Sequence, residues 1–173
     1  MMDRFASPRW LAALALPLAC LASMAQARDA GPAPADDMEI NRNGSRPATP
    51  GPEANFTGSV RIEPVFDAHA PSTVGAGKVT FEPGARSAWH RHPRGQYLIV
   101  TDGLGWTQVE GGPITEMHPG DVIWCPPGVR HWHGASPRTA VTHIAVQEAV
   151  NGANVEWLEK VTDAEYARGV GPR

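Results

Sequence analysis

The chain has 173 residues, of which 42% are hydrophobic and 19% charged, and its formal net charge is -3. That length suits one domain with appendages, and the balance is that of a globular protein. No block of like charge is long enough to serve a nucleic-acid or membrane surface, so a small-molecule substrate is the expected partner and nucleic acid is not.

The first segment reads as a secretory signal peptide. Arg4 and Arg9 precede an apolar run from Leu11 to Leu21, and Ala25-Gln26-Ala27 supplies a small-x-small cleavage pattern. The run is short for a stable bilayer span. Residues 1–27 are therefore expected to be removed, leaving an exported, periplasmic protein with no stable membrane insertion. An uncleaved anchor and lipid attachment at Cys20 are the alternatives, although Pro17 suits lipidation poorly. Without Cys20 the chain keeps one cysteine, Cys125, and closes no internal disulfide. Cys125 lies in VIWCPP with no electropositive neighbour in sequence, which predicts a buried, inert thiol.

Residues 28–37, RDAGPAPADD, have the composition of a flexible linker. The domain is expected over 38–173, with MEI at its start as a short strand docked on a sheet edge. From Val60 onward short β-type runs follow one another: VRIEPVF, KVTF, QYLIVT, GWTQVE, ITEMH, DVIWC and AVTHIAVQ. Gly- or Pro-rich breaks separate them, among them PSTVGAG, DGLG and HPGD. Many short strands without helical periodicity predict an all-β sandwich or barrel. Only the tail reads as helical, where Thr162-Asp163-Ala164-Glu165 has the pattern of a capping box.

The chemistry concentrates in WHRHPRGQ, residues 89–96, and HWH, residues 131–133. Residues two apart on a strand share a face, so His90 and His92 point together, as do His131 and His133. If the two pairs lie on adjacent strands facing one interior, three or four imidazoles converge as in a metal site. The wider frame is also patterned. Gly84, His90, His92, Gln96 and Gly103 are spaced as in the first signature motif of the cupin superfamily, and Gly120, Pro126, Gly128 and His131 as in the second.

The chain thus resembles the cupins. The resemblance implies a single jelly-roll-like β-barrel with a metal-binding core over 77–148, followed by the short C-terminal helix. His90, His92 and His131 match the family's histidine ligands. Gln96 stands where most cupins have a glutamate, either as a fourth ligand or as a donor beside a three-histidine site. Ala135 stands where an asparagine usually ends the second motif. An amide oxygen cancels none of the cation's charge, so a divalent ion here remains a strong Lewis acid.

Within the superfamily, SAWHRHPRGQYLIVTDG, EGGPITEMHPGDVIWCPPGVRHWHGA and AVTHIAVQE resemble the small bacterial cupins with (R)-selective hydroxynitrile lyase activity. Tyr97 and the exported N-terminus depart from that group. This resemblance implies a manganese-dependent lyase that cleaves or forms cyanohydrins of the mandelonitrile type, with Fe²⁺, Ni²⁺ or Zn²⁺ also compatible, and a homo-oligomer. A cupin Fe-dependent dioxygenase and a non-catalytic exported metal- or ligand-binding module are the rival readings.

His133 is the candidate general base, against a histidine merely satisfied by a backbone carbonyl. His143 and Gln147 share a face of VTHIAVQ with Val141 and Ala145. They are read as catalytic pocket wall, with a buried core histidine as the alternative for His143. His69 and His118 sit beside turns and are expected to be exposed. Arg91 and Arg94 are expected to point away from the ligands. Trp89, Trp106, Trp124 and Trp132 are read as core or interface mass.

Overall fold

The computed structural model describes residues 38–169; the expected signal peptide and linker lie outside them. The fold is that of the unit beginning at Ile40. Its strands are β1 (Thr49–Pro50), β2 (Phe56–Thr57), β3 (Val60–Phe66), β4 (Val74–Phe81), β5 (Arg86–Ser87), β6 (His90–Arg91) and β7 (Gln96–Gly103). They continue as β8 (Gly105–Val109), β9 (Ile114–Met117), β10 (Val122–Cys125), β11 (His131–Ala135), β12 (Val141–Glu148) and β13 (Glu156–Trp157), before helix α1 (Asp163–Tyr166). A 3₁₀ turn, Ala167–Gly169, follows α1.

All the strand pairings are antiparallel, in two sheets. One sheet runs β1-β3-β4-β12-β7-β10; the other runs β13-β6-β11-β5-β2, with β8 joining β11 to β9. The alternation of the long strands explains how the sheets close on each other. In β7, Gln96, Leu98 and Val100 are buried while Tyr97, Ile99 and Thr101 are exposed. In β12, Val141, His143 and Ala145 face inward. Leu98, Val100, Val141 and Ala145, with Phe81, Met117 and Cys125, belong to one continuous apolar core, whereas Gln96 and His143 are buried polar groups.

Two local expectations are corrected. Met38–Ile40 is not a strand, and both of its apolar side chains are exposed. The segment docked on the sheet edge is instead β1, paired to β3 through Thr49↔Ile62 and Pro50↔Arg61. An edge position tolerates Pro50 because its missing N–H is not required there. The PSTVGAG stretch is not wholly a break, since β4 already begins at Val74. Eight successive pairings with β12 override the weak strand preference of Gly75 and Gly77.

Gly134 of HWHG is required by packing. A Cβ there would lie 2.4 Å from the Ala85 carbonyl oxygen and 2.6 Å from Arg86 Cα, so only glycine lets β11 approach β5 this closely.

The tail closes a second core. Trp89, Trp106, Trp132, Val161 and Tyr166 pack together, and the capping box is complete, with the Glu165 N–H donating to Thr162 Oγ1 and the Thr162 N–H to Glu165. Arg86 reaches from β5 to hold this segment. It is buried, donates through Nε and Nη2 to the Val161 carbonyl at 3.2 and 3.1 Å, and lies 4.7 Å over the Tyr166 ring. Tyr166 donates to the Ala135 carbonyl at 2.7 Å. The Arg86–Asp163 ion pair at 2.5 Å adds little, because Asp163 is almost fully exposed. Replacing Arg86 by Met is accordingly expected to destabilise the fold by about 2–3 kcal/mol, and Tyr166→Phe by about 1 kcal/mol. Asp163→Asn should change it by less than about 0.5 kcal/mol. Urea denaturation of the three variants checks the order; equal losses for Arg86→Met and Asp163→Asn would contradict it.

Candidate metal centre

The two histidine pairs meet through strand register. His131 of β11 lies directly opposite His90 of β6, and His92 follows with Arg91 turned outward between them. Ring centroids are 4.3 Å apart for His90–His131, 5.2 Å for His90–His92 and 5.7 Å for His92–His131. One ring nitrogen from each lies within 4.8 Å of the others, and all three residues are buried.

Backbone carbonyls set the protonation of each ring. His90 Nδ1 is 2.9 Å from the Ala88 oxygen, His92 Nδ1 is 2.6 Å from the Asn154 oxygen, and His131 Nδ1 is 3.0 Å from the Val129 oxygen. A carbonyl only accepts, so in each ring Nδ1 carries the proton and Nε2 keeps its lone pair. The Nε2 atoms of His92 and His131 are buried with no hydrogen-bond partner among the described residues. Burial is the main cause of lowered pKa values in all three: well below the usual value at His90, to about 4 at His92, and lowered at His131. Mutual repulsion with His131 lowers His90 and His92 further, while the carbonyl contacts oppose the shifts. Neutral rings with orphaned inward lone pairs are what a cation requires of its ligands. The residues therefore fit a metal ion.

Gln96 opens β7 and is also buried. Its Nε2 donates to Gln147 Oε1 at 3.3 Å, while its Oε1 has no hydrogen-bond partner among the described residues. The amide lies close enough to His92 to oppose part of that ring's shift, short of hydrogen-bond geometry. Gln147 thus engages the amide nitrogen, and the amide oxygen is left without a hydrogen-bond partner among the described residues.

His133 lies on the same strand and face, its ring 5.1 Å from His90 and 6.1 Å from His131. Its Nδ1 is 3.1 Å from His143 Nε2. The partner of His133 is thus an imidazole, and its own main-chain N–H donates to Ser87 Oγ. Burial, then the neighbouring His143, holds His133 well below the usual histidine value; burial alone takes His143 to about 4. His143 is fully enclosed and sits behind His133 against Phe81. It supports the site without lining the cavity.

That cavity has a volume of about 200 Å³. Its polar wall is His90, His92, Gln96, His133, Gln147 and Asn154, and its apolar wall includes Phe56, Ile62, Val79, Val155 and Trp157. Its lining includes no carboxylate. Of these, Asn154, Val155, Trp157, Phe56 and Ile62 have no signal in the sequence: Asn154 orients His92 through a backbone oxygen that any residue carries, and the others are brought in by chain-distant pairing. Cys125 is a buried thiol pushed up to about 12 by burial, as expected for an inert group. His69 and His118 are exposed, Arg91 pairs outward with Glu156, and Trp89, Trp106 and Trp132 are core.

Comparison with known proteins agrees with this architecture. Residues 77–145 match the cupin domain. Over 131 residues, 76% of this chain and the whole of the relative, the sequence is 58% identical to an (R)-mandelonitrile lyase of Granulicella tundricola. A crystal structure of a cupin-like protein from Thermotoga maritima is 40% identical, with a TM-score of 0.66 over 76% of this chain and 97% of that one. The polyketide cyclase RemF of Streptomyces resistomycificus shares the fold at 16% identity, with a TM-score of 0.61 over 76% and 92% of the two chains. Two antiparallel sheets, a buried histidine cluster, the cupin-domain match and a relative at 58% identity establish that the chain belongs to the cupin family.

Proposed function

We propose that the protein is a metal-dependent lyase that cleaves and forms cyanohydrins of the mandelonitrile type. The observation that carries this reading is the meeting, in one small cavity with no carboxylate in its lining, of the candidate donors with His133, which is hydrogen-bonded to the buried His143 outside that lining. The 58% identity to an (R)-mandelonitrile lyase supports it over an oxygen-dependent cupin chemistry and over a purely binding role.

His90, His92 and His131 would hold a divalent cation, with the Gln96 amide oxygen as fourth donor; Mn²⁺ is the proposed ion, and Fe²⁺, Ni²⁺ and Zn²⁺ suit the same donors. When bound, the ion supplies Lewis acidity that no anionic ligand diminishes. The remaining work falls to the chain's own side chains. Phe56, Ile62, Val155 and Trp157 take up the apolar substituent and exclude water. The substrate hydroxyl then faces the polar wall. In the tautomer that has His133 Nδ1 donating to His143 Nε2, His133 presents its Nε2 lone pair to the cavity and accepts the hydroxyl proton. As the C–C bond breaks, its electron pair leaves with cyanide and the aldehyde forms. His133 returns its proton to cyanide, giving HCN. Burial disfavours the imidazolium, so the proton is passed on readily. Gln147 uses Oε1 for Gln96 and offers its N–H donors to the bound substrate.

Three outcomes test this reading. His133→Ala should lower the rate of mandelonitrile cleavage by about 10²-fold or more with metal content unchanged by elemental analysis; full activity would remove His133 from the mechanism. Cleavage should continue under nitrogen and stop on treatment with EDTA, whereas oxygen uptake stoichiometric with product would establish the dioxygenase. In the metal-free protein, His92 and His143 have folded pKa values of about 4 against an ordinary 6.5. The unfolded chain therefore binds more protons between these values, so the stability contributed by these buried neutral rings is complete above pH 6.5 and declines as the pH falls towards 4. Thermal melts of the stripped protein across that range should show a falling Tm, and a flat profile would contradict the assigned neutrality.

A further inference from the structure

The cavity beside the histidines has a neighbour. Ile62, Gly77, Gln147 and Asn154 line both that cavity and a groove of about 290 Å³. Strand β4 shows how the chain leaves room between them. Its alternate residues are Phe81, Val79, Gly77 and Gly75, opposite Val141, His143, Ala145 and Gln147 of β12. Side chains shrink along this row: Phe81 is core, Val79 is cavity wall, and at Gly77 and Gly75 there is none.

Glycine inside a strand weakens it, and its usual justification is a bulge, a strained backbone or the close approach of another backbone or of a ligand. Gly77 and Gly75 have no positive φ, and a Cβ would meet nothing nearer than 3.8 Å at Gly77 or 3.5 Å at Gly75. Gly134 is demanded by its neighbours; these two are not. What the missing side chains provide is open space at the junction of cavity and groove.

The two ends of that space differ in chemistry. The inner end holds buried polar atoms without a hydrogen-bond partner among the described residues, His92 Nε2 and Gln96 Oε1, with Gln96 only 5% exposed. The outer end is lined by Pro64, Phe66, Ala76 and Ala149, and its one charged lining residue, Asp67, is paired with Arg46 at 2.7 Å. A ligand that satisfies both has a polar head and an uncharged apolar tail. The inner cavity, about 200 Å³, is smaller than the roughly 300–1,000 Å³ of most small-molecule sites, and the groove brings the site into that range.

We propose that the groove is the outer half of the ligand site and takes an elongated, uncharged apolar substituent that passes over Gly77. On the lyase reading above, on which the reaction assigned here rests, the substrate is a cyanohydrin carrying a second ring, or a chain of similar length, beyond the group held by Phe56, Val155 and Trp157. Gly77 is then a specificity-determining residue.

Two measurements on the metal-loaded full chain test this, one of them independent of turnover. Cleavage of mandelonitrile is compared with cleavage of its 4-phenyl analogue, and calorimetric binding of benzyl alcohol with that of 4-phenylbenzyl alcohol. The longer member of each pair is expected to show a KM or Kd lower by about 10-fold or more, because its second ring leaves water in the groove. Gly77→Val places a side chain in the passage and should reduce both long-to-short preferences by about 10-fold; Gly77→Ala, which adds one methyl group where there is room, should reduce them by about 3-fold. Equal constants for long and short ligands, or preferences unchanged in both variants, overturn the proposal. Cleavage of mandelonitrile with the long ligands refused overturns it and leaves the lyase reading intact. Preferential binding of the long alcohol, lost in Gly77→Val, with neither cyanohydrin cleaved, upholds the groove and refutes the lyase reading.

Discussion

The centre of this protein rests on lone pairs that are buried without a hydrogen-bond partner. Leaving an imidazole nitrogen dry and unsatisfied is unfavourable by an amount comparable to a lost hydrogen bond, and two such nitrogens and an amide oxygen are gathered here. Their direction is set by main-chain carbonyls. Ala88 and Val129 each lie two residues before the ring they hold, so those two contacts are local consequences of the strands. The third comes from Asn154, beyond the end of β12, and ties His92 to the loop that forms one side of the cavity. Ligand orientation and cavity wall are therefore one construction: displacing that loop would release His92 Nδ1 and open the apolar pocket together.

The absence of a carboxylate from the cavity lining separates two functions that one residue often combines. A carboxylate ligand would neutralise part of the cation's charge and also compete for the substrate's proton. On the proposed reading, Gln96 in that position would leave the ion's charge intact, and proton transfer would fall to His133, whose Nδ1 lies 3.1 Å from the buried ring of His143. His133 and His143 are both buried, so burial holds each ring neutral, and at His133 the neighbouring His143 adds to the effect.

Much of this was legible in the sequence, and what escaped has a physical pattern. Period-two alternation marks the long strands, and Thr162 with Glu165 marks the start of α1 as the structure has it. His90, His92 and His131 are brought together as the HxH spacing and the motif frame predict. The short strands β2, β5 and β13 are too brief to show a period and exist only through their partners. Met38–Ile40 has strand-like composition but forms no strand, whereas Thr49–Pro50 pairs with β3 without that composition. The cavity's apolar wall is built from Phe56, Ile62, Val155 and Trp157, on segments widely separated along the chain, so no local pattern could mark it. His143 shows the limit of face counting: it shares a face with Gln147, yet it is fully buried against His133 and Phe81 and is not among the residues that line the cavity.

The strongest constraint on the design lies in β7, where neighbouring residues serve opposite sides of one sheet. Gln96 is buried beside the candidate metal centre and Leu98 and Val100 belong to the core, while Tyr97 and Ile99 face outward. A slip of one residue against β12 would exchange the two sets, exposing the amide and driving a tyrosine among the imidazoles. Two features oppose it. The ladder with β12 extends from Gln96 to Gly103, and Gly103 meets Ala140 so closely that any Cβ there would lie 1.9 Å from its carbonyl oxygen. That contact restricts the far end of the strand to glycine, while a register shift between Thr142 and His143 separates it from the near end, where the pairing of Gln96 with Gln147 and the hydrogen bond between their amides set the buried side of β7.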